Sequence, residues 1–317
     1  MAERKTMMSP ERRRTQLTVT ALVCAALLLA TTGLSAFMRL TQAGLGCSDW
    51  PACYGAYLRA LQQGVEAIAG STTAVSAARV THRLVASAAL LLVIRMVWST
   101  LVVKPRLSRP GALAGALLAL ALALALLGVV TPGARTPLVA LGNLLGGFLM
   151  LALCWRLAAP RGEPPVPGLG ALGVAGLVLL SAQVVMGAMV STTYAGLACS
   201  ELGECYRVTQ ATGWDWRVLD PLREPVFDAG PVPVNPAGAL VQLLHRLGAF
   251  FVVPVLVVLG MIAWRRGRRR GGAALLVLTL AQPAVGLLMA GSGLPLVPAL
   301  LHNLLAAMLL ATLVRLI

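Results

Sequence analysis

A chain of 317 residues that is 58% hydrophobic, 12% charged and +0.83 in mean hydropathy is not a water-soluble globule, which would carry about twice that share of charge. The net charge of +15 does not mark a nucleic-acid binder, because the arginines sit between apolar stretches, where membrane topology alone asks for them. Apolar stretches of this length recur along the whole chain and predict a polytopic membrane protein.

Eight spans are predicted, near 17–39, 81–103, 111–132, 137–158, 169–192, 238–264, 272–292 and 296–316. Each is long enough to cross a hydrocarbon core of about 30 Å at about 1.5 Å per residue. The apolar runs are continuous rather than alternating, so the spans are helices and not barrel strands. The first stretch has the place of a signal peptide, but its length and its echo near 171–192 make it a retained helix. Basic residues fall on one side: Arg4, Lys5, Arg12, Arg13 and Arg14 before the first span, and Lys104, Arg106 and Arg109 between the second and third. Arg156 and Arg161 follow the fourth span, and the run Arg265, Arg266, Arg268, Arg269, Arg270 follows the sixth. The positive-inside rule then makes both termini cytoplasmic and puts the cysteine loops outside.

The chain repeats itself. Residues 41–53 read TQAGLGCSDWPAC and residues 193–205 read TYAGLACSELGEC. Downstream come THRLVAS at His82 and LHRLGAF at His245, then LVALGNLLGGFLM and VPALLHNLLAAML, which set Gly142 opposite His302. Four spans per half preserve orientation, so the expected fold is all-α, two pseudo-symmetric four-helix bundles related by an axis along the membrane normal. The halves are residues 1–160 and 161–317, joined by the proline-rich stretch 160–168. The long outer segment 206–237, with Trp214 and Trp216, either covers a site or lies along the lipid headgroups.

Each copy of the repeat holds a Cys-x5-Cys pair. Local bridges Cys47–Cys53 and Cys199–Cys205, structural or redox-active, are the natural pairing on an oxidising face. A metal role is the alternative, although no His or further Cys lies in these loops to complete a zinc site. Cys24 and Cys154 lie within spans.

The three histidines fall at similar depth, His82 and His245 near the outer ends of their spans and His302 about two turns in. His245 and His302 sit on alternate helices of one bundle, an arrangement suited to axial ligation of a b-type heme. Arg83 and Arg246 follow two of the histidines, either to pair with heme carboxylates or to anchor at the interface. His82 has no histidine partner. Gly142 and Gly146 read as close helix packing, or as the mark of a pocket that binds through His82 alone and leaves a coordination position open. Gln183, Gln282 and Pro283 read as interhelical bonds and a kink rather than chemistry. The sequence shows no phosphate loop, no Ser-His-Asp set and no paired carboxylates within a span.

Eight spans in two halves, the RLTQAGLGCSDWPAC motif with its echo at Cys199–Cys205, and the His-Arg motifs at His82 and His245 together resemble the heme A synthase family. The resemblance covers nearly the whole chain. It implies an oxidoreductase of the bacterial inner membrane that oxidises a methyl group of heme O to the formyl group of heme A for cytochrome oxidase assembly. It implies that His245 and His302 carry a heme b cofactor, and that His82 serves the N-terminal pocket where the heme O substrate reacts. It further implies that Cys47–Cys53 lies near that pocket, and that heme O synthase and oxidase assembly proteins are partners. In two places the sequence departs from the family's pattern. Gly142 stands where a second pocket histidine is usual, and Arg79 stands where a glutamate is usual, three residues before His82. These departures motivate an alternative, a non-catalytic heme-binding assembly factor or membrane electron carrier. A transporter or chaperone using the N-terminal bundle as a cavity is a further one.

Overall fold

In lipid every backbone N–H and C=O must be satisfied within its own segment, so uninterrupted Leu-, Ala- and Val-rich runs can only become helices. The structure is a computed structural model that describes residues 10–64, 73–131, 136–159, 166–228 and 234–317. Eight of its helices are long and apolar enough to cross a membrane. They are α1 (Pro10–Gln42), α3 (Thr73–Val97), α4 (Ser108–Val130), α5 (Pro137–Leu157), α6 (Gly170–Thr192), α8 (Gly238–Arg265), α9 (Arg269–Gly291) and α10 (Leu296–Leu316). Two short helices, α2 (Ala56–Gln62) and α7 (Leu202–Ala211), belong to the connections after α1 and α6. No strand occurs among the described residues. Arg4, Lys5 and Arg161 lie outside them, as do residues 160–165 of the proline-rich joint and 229–233 of the long outer segment.

The helices pack as two rings of four. α1, α3, α4 and α5 touch in sequence and close on α1, and α6, α8, α9 and α10 do the same. α5 and α10 lie back to back between the rings, and α1 meets α10 as α6 meets α5, so the neighbour pattern of one ring repeats in the other. The shared core runs between them: Phe148, Leu151 and Cys154 of α5, Ala307 and Leu313 of α10, and Cys24 of α1 are buried. Apolar side chains on the outside, such as Leu84, Leu91, Leu126 and Phe250, are exposed in the way a lipid-facing surface requires.

One boundary differs from expectation and matters. The second span was predicted to start at 81, but α3 starts at Thr73 and continues to Val97, with one wider turn at Trp98–Val102. The first two turns are polar, carrying Thr73, Ser76 and Arg79, and a hydropathy pattern registers only the apolar part of such a helix. His82 therefore lies well inside its helix rather than at its end.

Two faces result. Arg13 on α1 donates to the Val103 and Pro105 carbonyls after α3, and Arg156 of α5 donates to the Arg315 carbonyl of α10 at 3.0 Å. The opposite face carries both cysteine loops. There the long segment after α7 reaches across to the other ring: the Leu138 N–H of α5 donates to the Pro221 carbonyl at 2.8 Å, and Gln62 of α2 donates to the Pro225 carbonyl at 3.1 Å. Of the two readings of this segment, the contacts favour a cover over the cysteine-loop face.

Candidate functional site

All three histidines lie between six and nine residues from the first residue of their helices, Thr73, Gly238 and Leu296, and so share one depth beneath the cysteine-loop face. His245 of α8 and His302 of α10 face each other, ring centroids 6.4 Å apart and planes at 80°. Two imidazoles bound on opposite sides of one metal, each about 2 Å from it, place their centroids about 6 Å apart. The pair therefore has the separation of two axial ligands. Among the described residues no three His, Cys, Asp or Glu side chains cluster to hold a bare ion. The donor set suits a metal whose remaining positions come from a macrocycle.

Each histidine is held by the preceding span in the same way. Gln183 of α6 donates through Nε2 to the His245 carbonyl at 2.7 Å, and that nitrogen lies 3.2 Å from His245 Nδ1. Gln282 of α9 donates through Nε2 to the His302 carbonyl at 3.1 Å. One turn further on, each of these helices presents a glycine to the ring. A Cβ at Gly187 would lie 2.8 Å from His245 Cε1, and one at Gly286 would lie 3.2 Å from His302 Cε1. Gly248, one turn after His245, is bare for the same reason: a Cβ there would run into Gln183 Oε1. The imidazoles lie in slots that side chains would fill. His302 Nδ1 and Gln282 Oε1 are enclosed and make no hydrogen bond.

From sequence alone, Gln183 and Gln282 are expected to make interhelical bonds. The bonds are there, and both end on the residue that matters. The signal was a second, shorter repeat, QVVMG at 183–187 and QPAVG at 282–286.

The other ring is built differently. His82 is half-buried, while Arg79 and Arg83 beside it are exposed. Gly142 on α5 is closed off by a leucine: a Cβ at Gly142 would lie 3.2 Å from Leu127 Cδ2 of α4, and Gly146 meets Leu124 in the same manner. Of the two readings of Gly142, close packing is what the helices show. The structure brings His245 and His302 together and leaves His82 apart from them.

The cysteines pair as Cys47–Cys53 and Cys199–Cys205, and Cys24 and Cys154 are free and buried. The resemblance tied the first bridge to the His82 side. In the structure its loop packs over the other ring: Leu40, Leu45 and Tyr54 cluster with Ala299, and Leu296 and Met289 join them. The second loop packs on α8 through Cys205, Ala239 and Leu243. Arg246 donates to the Ser200 carbonyl at 2.9 Å, so its guanidinium is engaged with that loop. Edge-to-face rings tie the two loops together, Trp50 to Tyr54 at 5.5 Å, Tyr54 to Tyr194 at 5.7 Å and Tyr194 to Phe227 at 5.6 Å. Burial pushes the Tyr194 phenol up to about 12 and Tyr54 higher still, the latter against the lowering effect of the Gly196 N–H that its oxygen accepts. Both are neutral structural joints.

Residues 18–314 match the family described as cytochrome oxidase assembly protein, COX15-CtaA. Among named relatives, a protein of Shewanella oneidensis called heme A synthase is 29% identical over 300 residues, covering 89% of each chain.

Proposed function

The chain belongs to the COX15-CtaA family of cytochrome oxidase assembly proteins, and from that premise we propose that it is a heme A synthase, an oxidoreductase of heme O. The reaction turns a methyl group into a formyl group. One oxygen atom enters and four electrons leave the carbon, so the protein must hold the substrate still and give electrons a path. The observation that carries the reading is the His245–His302 pair, 6.4 Å apart in two glycine slots.

In this reading the ring of α6, α8, α9 and α10, within residues 161–317, is the cofactor half. His245 and His302 would hold heme b, which when bound would supply one-electron transfer. Gln183 and Gln282 fix the heights of the two histidine-bearing helices by donating to the His245 and His302 carbonyls. Residues 1–160 form the substrate half, where His82 positions heme O. With Leu127 against Gly142, α5 offers no second imidazole to partner His82. The arginine-rich face is cytoplasmic in a bacterial inner membrane, the disulfide loops face outward, and heme O synthase and oxidase assembly proteins are the expected partners.

The test is pigment analysis of membranes from cells producing this chain together with a heme O synthase, beside a His82→Ala control. Heme A or its hydroxylated precursor, lost in the control, supports the enzyme. Heme b alone, with heme O unconverted although a competent electron donor is present, would instead support an assembly factor or electron carrier.

A further inference from the structure

Arg39 is a cation at membrane depth that the proposed chemistry does not yet use. It lies on α1, one turn before the helix ends at Gln42, and reaches out of its own ring toward α10. Its Nη2 donates to Asn303 Oδ1 at 3.2 Å, and Asn303 directly follows His302. Its Nε is enclosed and has no hydrogen-bond partner. Among the described residues it makes no ion pair; those seen join Arg217 and Arg223 to Asp215, far along the outer segment. A guanidinium carries five N–H donors in a planar fork, and here one neutral amide oxygen meets it. An arginine so placed in lipid calls for an anion.

The repeat sharpens the point. TQAG at 41–44 aligns with TYAG at 193–196, which puts Ser191 where Arg39 stands in the other half. The asparagine is present in both, Asn143 matching Asn303. A residue needed only to pack helices or to anchor at an interface has no reason to appear on one side alone. Arg39 appears only on α1, which packs on the His302-bearing α10. The arginines expected from sequence to take this role are otherwise placed, Arg83 exposed and Arg246 bound to the Cys199–Cys205 loop. Snorkelling to water does not explain Arg39 either, because its Nε is enclosed and its Nη2 turns inward to α10.

We infer that Arg39 is a positioning residue that receives a carboxylate of the tetrapyrrole held between His245 and His302, so that a helix of the substrate half grips the cofactor of the other. This rests on the heme reading above. The ligand class is a carboxylate-bearing tetrapyrrole, and the fork of Arg39 selects for the free acid over its ester.

Wild type, Arg39→Gln and Arg39→Lys are purified, and the midpoint potential of the bound heme is measured. Heme-depleted samples are then reconstituted with heme b or with its dimethyl ester. Wild type should prefer the free acid by about tenfold or more, the scale of a charge-assisted hydrogen bond, and Arg39→Gln should lose that preference. The glutamine variant should also favour the oxidised heme by about tenfold, about 59 mV for one electron, because a nearby cation is gone. Arg39→Lys should keep part of both effects, which separates charge from folding. An unchanged preference and potential in Arg39→Gln would overturn the assignment. So would a glutamine variant whose heme b is normal while titrated heme O binds more weakly, since the carboxylate would then be the substrate's. A His302→Ala arm that retains the full heme spectrum would sink the heme reading itself, independently of Arg39.

Discussion

In α9 and α10 the small residue is Gly286 and the large one His302; in α4 and α5 the order is reversed, with Leu127 lying against Gly142. The two pairs of helices occupy matching places in the two rings. What differs is which helix carries the bulk, and whether that bulk is an imidazole or an isobutyl group. Close-packed interiors tolerate a change that conserves volume across a contact far better than one that adds or removes it. A duplicated bundle can therefore exchange an imidazole for a packing residue and keep its backbone, provided the facing residue changes with it. Span count is the same in both halves and cannot reveal this exchange.

The largest effect is expected at the histidine pair. His245→Ala or His302→Ala should abolish the low-spin heme spectrum of the purified protein, and persistence of the full spectrum in both would remove the ligand pair. A smaller effect is expected on the other side. Gly142→His alone forces an imidazole against Leu127 and should cost about 1–3 kcal/mol, read as a lower unfolding temperature in detergent. Adding Leu127→Gly should restore most of that loss and create a second imidazole slot, with the heme-to-protein ratio rising on reconstitution; a double variant no better than the single would show that the slots are not equivalent.

Within the histidine pair, Gly187→Ala should disturb more than Gly286→Ala, since the added methyl meets a ring atom at 2.8 Å in one case and 3.2 Å in the other. Expected costs are about 1–3 kcal/mol for the first and about 1 kcal/mol or less for the second. Electron paramagnetic resonance of the oxidised heme should report the larger change in ligand orientation for Gly187→Ala. The smallest effect lies in the outer segment. Hydrogen bonds from Arg217 and Arg223 hold the Asp215 carboxyl down at about 2. A carboxyl depressed in the folded state contributes fully above its unfolded value of about 4, and that contribution is lost as pH falls through about 2. Proteolysis within 212–223 should stay slow down to pH 4 and quicken below about pH 3, whereas Asp215→Asn should be faster than wild type above pH 4 and insensitive to pH over that interval.

Much of this protein is legible without coordinates. The eight spans are visible because a lipid solvent leaves only one way to satisfy an apolar backbone. The cysteine pairs are visible because a repeated six-residue separation permits few alternatives. The site is partly legible: His245 and His302 could be matched by depth, but their supports could not. Gln183 and Gln282 look like any mid-span polar residue until their amides are seen on the His245 and His302 carbonyls. The start of α3 was misplaced because a helix emerging into water is no longer apolar, so its polar turns leave no hydropathy signal.

By itself the sequence determined the solvent, the number of crossings and the internal repeat, all of which are local or periodic properties of the chain. Only the tertiary structure decided which slots hold rings and which hold leucine, which half the first cysteine loop covers, and where Arg39 turns. Those depend on contacts between residues far apart in the chain, such as Arg39 with Asn303 or Gly142 with Leu127. Close packing allows one occupant per slot, and which side chain arrives there is set by helix rotation and register, which no single helix encodes.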